Sequence, residues 1–389
     1  MGSNSFQAVD DSPRALLVRH GNAVLGAIAT ETVFFYPLDT LKTLLQVSAN
    51  AGKSMGISAI VEGVGATSGF AGLYGGAGWQ VLGRLPVLSA RFGFYEIITA
   101  YFSDGRSENF VTVSEALLAG LAAGACESVI STPFDFLKVR AQVNIATTGE
   151  VKARSAFFQS QQKTFGPNAA IRGSNAAHWK NIRKSLSLLP VQSPNLIPAL
   201  KEYPWLATGS GQPPLVKDIR GLRGAIRLEG WKSLWSGLRP GLFRDAIYGG
   251  CFFSVWQYLD DLLAEWKAYK MDPPPSSWDE VGPSSPLQLS LTAGIAASFA
   301  ATASHSFDSA KSRAQATVVP KYLALERTLL KWKVPGNWFE YIVGFSPLDR
   351  PFLRKALGVR ALQHGLGTFA LVLTYHTTVQ TALSQRKFK

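Results

Sequence analysis

The chain predicts an all-α membrane protein with six transmembrane helices in three pseudosymmetric two-helix repeats, linked by short helices. Three observations predict it. A charged phrase occurs three times, as "YPLDTLKTLLQ" at 36–46, "STPFDFLKVRAQ" at 131–142 and "SHSFDSAKSRAQ" at 304–315. Hydrophobic residues make up 47% of the chain and charged residues only 17%, less charge than the roughly 25% usual in soluble proteins. Each copy is followed by an apolar stretch with aromatic ends: "LPVLSARFGFYEIITAYF", "FRDAIYGGCFFSVWQYLDDLL" and "RALQHGLGTFALVLTYHTTVQ".

The elements follow in order. Residues 1–14 form a tail with neither a secretory apolar core nor an Arg-rich transit character, and Phe6 stands where a myristoylation motif needs Ser or Thr. Residues 15–110 make the first repeat, with helices at 15–47 and 76–103. The first helix would be roughly 50 Å long at 1.5 Å per residue, enough to cross a bilayer. Residues 111–265 make the second repeat, with helices at 112–143 and 238–266. Pro37 and Pro133 are 96 residues apart, whereas Pro133 and Ser306 are 173 apart, so the second interval carries an insertion. It falls at 144–216, which is rich in Ser, Asn, Gln and Pro and lacks sustained helical periodicity. A loop at 266–285 leads to the third repeat, 286–389, with helices at 286–316 and 352–383.

Smaller signals refine this frame. "SGFAGLYGG" (68–76) and "EGWKSLWSG" (229–237) echo each other as short links after the first two copies, while the third candidate, near Tyr341 to Gly344, matches poorly. Pro37 and Pro133 interrupt helical patterns and should bend them. Ser306 takes the proline's place in the third copy, which predicts a fifth helix straighter or softer than the first and third. Gly120 with Gly124, and Ala293 with Ala297, set small residues four apart and permit close helix contact.

Several classes of function are excluded. The net charge of +13 raises nucleic acid as a partner, but the bases are dispersed and no aromatic RNA-binding motif or zinc-finger spacing occurs. Cys126 and Cys251 form no metal pair or disulfide framework. His20, His178, His305, His364 and His376 form no metal cluster, and no cofactor motif is present. No nucleophile, base and orienting group assemble, so the chain does not read as an enzyme.

The threefold phrase resembles the signature of the mitochondrial carrier family: Pro-x-acid-x-x-base-x-base-x-Gln, then acid-Gly-x4-aromatic-base-Gly, three times over. "PFDFLKVRAQ" with "EGWKSLWSG" matches closely and the other two repeats match in part; Leu44 departs from the pattern where a base belongs. The resemblance implies a gate on the matrix side made of the pairs Asp39 with Lys138, Asp135 with Lys311, and Asp308 with Lys42, braced by Gln46, Gln142 and Gln315. Read from the residues alone, each acid and the base three positions on can pair locally on one helix face. The family's opposite, cytoplasmic gate is degraded. Its positions hold Glu96, Gln257 and His376, with Thr99, Asp260 and Val379 where bases belong, leaving aromatic packing and a Glu96 to His376 contact as the expected closure.

Substrate contacts implied by the family fall at Gly83 beside Arg84, at Arg244 with Asp245, and at His364, with Arg360 nearby. "GRLP" and "FRDAI" look most like the S-adenosylmethionine carriers. Adjacent Arg and Asp suit a zwitterionic, amino-acid-like end, unless the two merely satisfy each other. Glu31 and Glu127 each stand six residues before a kink proline and make the cavity attractive to a cation or supply a proton site. The expected function is exchange of a small metabolite across the inner mitochondrial membrane, S-adenosylmethionine or another zwitterionic or cationic solute. The plastid envelope and the peroxisomal membrane are the other locations the family offers. Expected partners are the substrate and membrane lipid, cardiolipin included, around a monomer that binds no nucleic acid. The alternative is a degenerate carrier fold acting as a membrane receptor or structural factor.

Overall fold

The computed structural model describes residues 13–48, 56–104, 111–164, 221–272, 281–282, 284–316, 354 and 356–387. These form α1 (Pro13–Ser48), α2 (Ile57–Ser68), α3 (Ala77–Ser103), α4 (Val113–Thr164), α5 (Leu222–Glu229), α6 (Leu238–Lys270), α7 (Pro286–Ala303), α8 (His305–Ala316) and α9 (Leu357–Lys387). Short 3-10 turns at Phe70–Tyr74 and Trp231–Trp235 precede α3 and α6. No strand occurs among the described residues. The sequence echoes therefore become identical devices, a short helix followed by a 3-10 turn. Gly76 and Gly237 close them with φ of 87° and 78°, a left-handed backbone that glycine adopts without strain.

The long helices pack in chain order: α3 on α4, α4 on α6, α6 on α7, α7 on α9 and α9 on α1. α1 and α3 share a smaller contact, and α1, α4 and α8 meet one another at one end. Large apolar side chains lie on the exterior, and charged and polar side chains share the interior with apolar ones. Leu287, Leu291, Ile295 and Phe299 form an outward stripe, each 49% to 57% exposed, while Ala293, Ala296, Ala297 and Ala300 on the other side of α7 are fully buried. Among the described residues one helical stretch, Val113–Val143, is by composition long and apolar enough to cross a membrane alone, and α7 with α8 reaches that level as a bent pair. The other long helices carry charges that face the interior: Glu31, Asp39 and Lys42 on α1, Arg84 and Arg91 on α3, Arg244 and Asp245 on α6, and Arg360 on α9.

Small residues set the closest seam. Gly120 and Gly124 of α4 press on the backbone of α6 at Gly249 and Asp245, where any Cβ would collide with a carbonyl. Gly294 and Gly365 make a similar, looser contact between α7 and α9. Beside these seams lies a cluster of Ala116, Ala119 and Ala123 with Tyr95, Tyr248, Phe252 and Phe253.

The structure departs from the sequence expectation in four places. α4 runs on to Thr164, into the stretch expected to lack helical periodicity, because residues 149–163 include strong helix formers such as Glu, Lys, Ala, Arg and Gln; 165–216 lie outside the described residues. α6 continues to Lys270, past the expected loop start, and α9 covers 357–387 instead of 352–383. The fifth helix is not straighter. It breaks at Ser304 (φ −92°, ψ 7°), and α7 and α8 meet at 67°. Ser304 Oγ donates to the Ala300 carbonyl at 2.8 Å, the serine back-bond that opens a helix, so the bend arises two residues before the missing proline.

In α1 and α4, where proline removes the amide, the carbonyl one turn earlier finds a side-chain donor. Tyr74 Oη donates to Val33 O at 2.7 Å and Trp235 Nε1 to Val129 O at 3.2 Å. Both donors come from the 3-10 turns, which gives the aromatic residue two positions before the closing glycine of each echo, Tyr74 before Gly76 and Trp235 before Gly237, a structural role.

Candidate functional site

The meeting of α1, α4 and α8 brings three carboxylates and three amines of the repeated phrase together. Lys138 Nζ lies 3.1 Å from Asp39 Oδ2, Lys311 Nζ 2.7 Å from Asp135 Oδ2, and Lys42 Nζ 3.3 Å from Asp308 Oδ2. Lys42 also stands 3.3 Å from Asp39 on its own helix, so local and inter-helix pairing coexist there. Buried charges are tolerable only when each is paired and its remaining hydrogen-bonding capacity is used. Gln142 Nε2 donates to Asp39 Oδ2, Tyr36 Oη and Thr40 Oγ1 at 3.0 to 3.2 Å, and Gln46 Nε2 to Asp308 Oδ2 at 2.9 Å. Gln315 differs from the brace expected of it. Its amide donates to the Thr132 carbonyl at 3.4 Å, one turn before Asp135, leaving that carboxylate to other donors.

The main extra donor is Arg244 on α6. Its guanidinium binds Asp245 at 2.6 and 2.9 Å, Asp135 Oδ2 at 3.1 Å and Asp308 Oδ1 at 3.4 Å. Arg244 and Asp245 thus do satisfy each other, and Arg244 also spans two of the three aspartates. Gln363 adds a donor to Asp39 Oδ1 at 3.1 Å and Gln80 accepts from Lys138 at 3.0 Å; neither belongs to the repeated phrase. The phrase's second base works on backbone. Arg140 Nε donates to Gln315 O at 2.5 Å while its Nη2 holds Glu229, and Arg313 Nε donates to Gln46 O at 3.2 Å. Leu44 holds the equivalent place in α1 and offers no such donor.

Above this network lies an open cavity lined largely by charged and polar side chains. All seven residues expected to bind substrate line it: Glu31, Gly83, Arg84, Glu127, Arg244, Asp245 and His364. Their surroundings change how several of them read. Gly83 faces Phe134, and a Cβ there would sit 2.7 Å from that ring, so the glycine lets α3 approach α4. Glu31 and Glu127 are not lone acids. Arg84 grips both oxygens of Glu31, and Arg91 grips those of Glu127 at 2.5 and 2.7 Å. Arg84 and Arg91 are seven residues apart on one face of α3, two turns that present forks to α1 and α4. Arg91 also lies 4.9 Å over the Tyr248 ring, which tilts toward His364 at 5.3 Å. Sequence reading missed Arg91 because it belongs to no repeated phrase; the acids on the two flanking helices were the available signal.

The opposite end has no ring of charges. Glu96 is exposed on the outer face of α3, and no ion pair joins it to His376 among the described residues; its neighbours Tyr95 and Thr99 turn inward instead. Gln257 donates to Asp261 on its own helix at 2.8 Å, and His376 meets Tyr375 edge-on. Tyr95 stacks on Phe253 with centroids 3.7 Å apart, and Phe92 meets the same ring edge-on.

An apolar-surfaced helical bundle around a charged cavity, shut at one end by inter-helix ion pairs, has the build of a membrane carrier. Two stretches of the chain, residues 17–106 and 110–185, match the family model described as "Mitochondrial carrier protein". Among curated relatives, mitochondrial citrate transporter D of Aspergillus niger is 28% identical over 166 residues, 41% of this chain and 54% of that protein. The chain therefore spans about half the length of that relative. A protein named "Probable S-adenosylmethionine carrier 2, chloroplastic", of Arabidopsis thaliana, is 25% identical over 66% of this chain and 78% of its own length. The succinate/fumarate mitochondrial transporter of Saccharomyces cerevisiae is 22% identical over 63% and 91%.

Proposed function

We propose that this protein is a solute carrier of the inner mitochondrial membrane that exchanges a small metabolite by alternating access. In this reading α1, α3, α4, α6, the α7–α8 pair and α9 are the six membrane spans, two in each of three repeats. The observation that carries it is the set of three Asp–Lys contacts, each linking one copy of the phrase to another, at the floor of a charged cavity. Apolar stripes such as Leu287, Leu291, Ile295 and Phe299 would face lipid.

Asp39, Asp135 and Asp308 with Lys42, Lys138 and Lys311 act as the matrix-side gate, with Gln46 and Gln142 as braces and Gln315 holding backbone. Such a gate must open at a cost of a few kcal/mol, which contacts facing a wet cavity allow and fully dry ones would not. The opposite gate closes by packing of Tyr95, Phe253 and their neighbours. No covalent step is required.

Arg244 and Asp245 recognise a zwitterionic end, guanidinium to carboxylate and carboxylate to ammonium. Because Arg244 already holds Asp135 and Asp308, a solute carboxylate that takes its guanidinium draws it away from two gate acids. Binding and opening are thereby coupled through one side chain. A cationic group on the solute competes with Arg84 or Arg91 for Glu31 or Glu127. S-adenosylmethionine has both kinds of group, and the similarity to a protein named as its carrier makes it the first solute to test.

The test is uptake into proteoliposomes preloaded with S-adenosylmethionine, citrate, succinate, nucleotides or amino acids. Exchange of S-adenosylmethionine that is lost in Arg244→Gln and Asp245→Asn supports the assignment. Exchange of a dicarboxylate or tricarboxylate keeps the carrier reading and overturns the substrate. Folded protein that moves none of these favours the receptor or structural alternative.

A further inference from the structure

The third kink is built differently from the first two. In α1 and α4 proline makes the bend and an aromatic donor from a 3-10 turn caps the carbonyl one turn earlier. In the third repeat Ser306 has no such constraint, yet the helix breaks by 67°. The group that reaches into the break is Arg360, from α9. Its Nη1 donates to the Ala301 carbonyl at 2.7 Å, its Nη2 to Ser304 Oγ at 2.9 Å, and its Nε stands 3.3 Å from Asp308 Oδ2. The Asp308 amide in turn donates to Ser304 O across the break at 3.2 Å. One guanidinium therefore holds the last turn of α7, the residue at the break and the carboxylate that faces Lys42.

Arg360 is also enclosed. It is 1% exposed, whereas the side chains of Arg84, Arg91 and Arg244 are 23%, 13% and 16% exposed toward the same cavity. Arg360 lines the same cavity but is the most enclosed of the four, and both of its terminal nitrogens donate to oxygens of the fifth helix.

We propose that Arg360 is a positioning residue that fixes the break of the fifth helix and with it Asp308, replacing the proline of the other repeats, and that it does not bind solute. The transport readout of this inference rests on the carrier reading; its stability readout does not. The consequence is a specific rescue. Ser306 lies in the first turn of α8, where proline is tolerated, so a proline there can specify the bend that Arg360 otherwise maintains.

The experiment uses the full chain with Arg360→Lys, Arg360→Ala, Ser306→Pro and the two combinations. Thermal unfolding is measured in detergent, and uptake of S-adenosylmethionine in proteoliposomes. Arg360→Lys, which keeps the charge but cannot serve three acceptors, should lower the unfolding temperature, and Arg360→Ala should lower it further. Ser306→Pro alone should shift it little, and in either Arg360 background should recover most of the loss. Uptake by Arg360→Lys should fall about tenfold in maximal rate with KM changed by less than about twofold. A rise in KM as the main effect, or additive shifts with no rescue by proline, would overturn the inference. If the wild-type chain takes up nothing, the carrier reading fails for this solute, and the thermal cycle alone decides whether Arg360 and proline are interchangeable. Should Arg360→Ala not fold, Arg360→Lys carries the cycle.

Discussion

At one end of the bundle Asp39, Asp135 and Asp308 each face a lysine from another helix, with Gln46, Gln142, Arg244 and Arg360 taking up further oxygen lone pairs. At the other end Tyr95 lies flat on Phe253, Glu96 points outward and Gln257 bonds within its own helix. Contacts of the first kind are directional and shared, Lys42 between Asp308 and Asp39 and Asp135 between Lys311 and Arg244, so one lost partner unbalances a network of buried charges. Contacts of the second kind are non-directional and weaken gradually as rings slide. A bundle built this way should respond steeply to single changes at the charged end and mildly at the aromatic end.

The largest expected effect tests that contrast directly. Asp308→Asn leaves Lys42 and Arg360 facing an amide and should destabilise the folded protein by about 3–5 kcal/mol, read as a large drop in unfolding temperature. A loss no greater than that of a surface substitution would mean the charged end is not a cooperative unit. Next comes the brace pair. Gln142→Ala removes three donations and should cost about 1–3 kcal/mol, whereas Gln315→Ala, with one long bond to a carbonyl, should stay within about 0.5 kcal/mol. Equal losses would make the two braces equivalent in spite of their different partners. Tyr95→Leu should then cost about 0.5–1.5 kcal/mol, the share of a stacked ring beyond its apolar bulk. Smallest of all, Glu96→Gln should change stability by less than about 0.5 kcal/mol; a larger drop would show that this end also depends on charge.

The repeated phrase made the six residues of the charged end readable from sequence, whereas which lysine each aspartate meets was implied by the family resemblance, since the spacing alone also allows local pairs. Gln80, Arg91 and Gln363 could not be read that way, since nothing in another repeat echoes them and their partners depend on how helices turn about their axes. The fifth helix was misread for a related reason. Attention to the missing proline at 306 passed over Ser304, whose hydroxyl opens the backbone once Arg360 is there to receive it. Glu31 and Glu127 stand out in the sequence as acids in apolar helices, yet whether a buried acid is paired depends on the facing helix and not on its own repeat. The aromatic end was legible as a loss of charge pattern. The Tyr95 and Phe253 contact that closes it is packing, which periodicity places on a face but not in register.

The seam at Gly120 and Gly124 has a mechanical consequence. With backbone against backbone and no side chain between them, α4 and α6 behave as one beam, on which Asp135 and Arg244 are both mounted. Their mutual contact of 3.1 Å travels with the beam and resists no motion of it. α8 is tied to this beam along its length, by Arg244 to Asp308 and Lys311 to Asp135 and further on by Arg140 to the Gln315 carbonyl and Gln315 to the Thr132 carbonyl. The bundle can therefore swing there only if that whole row of contacts lets go together.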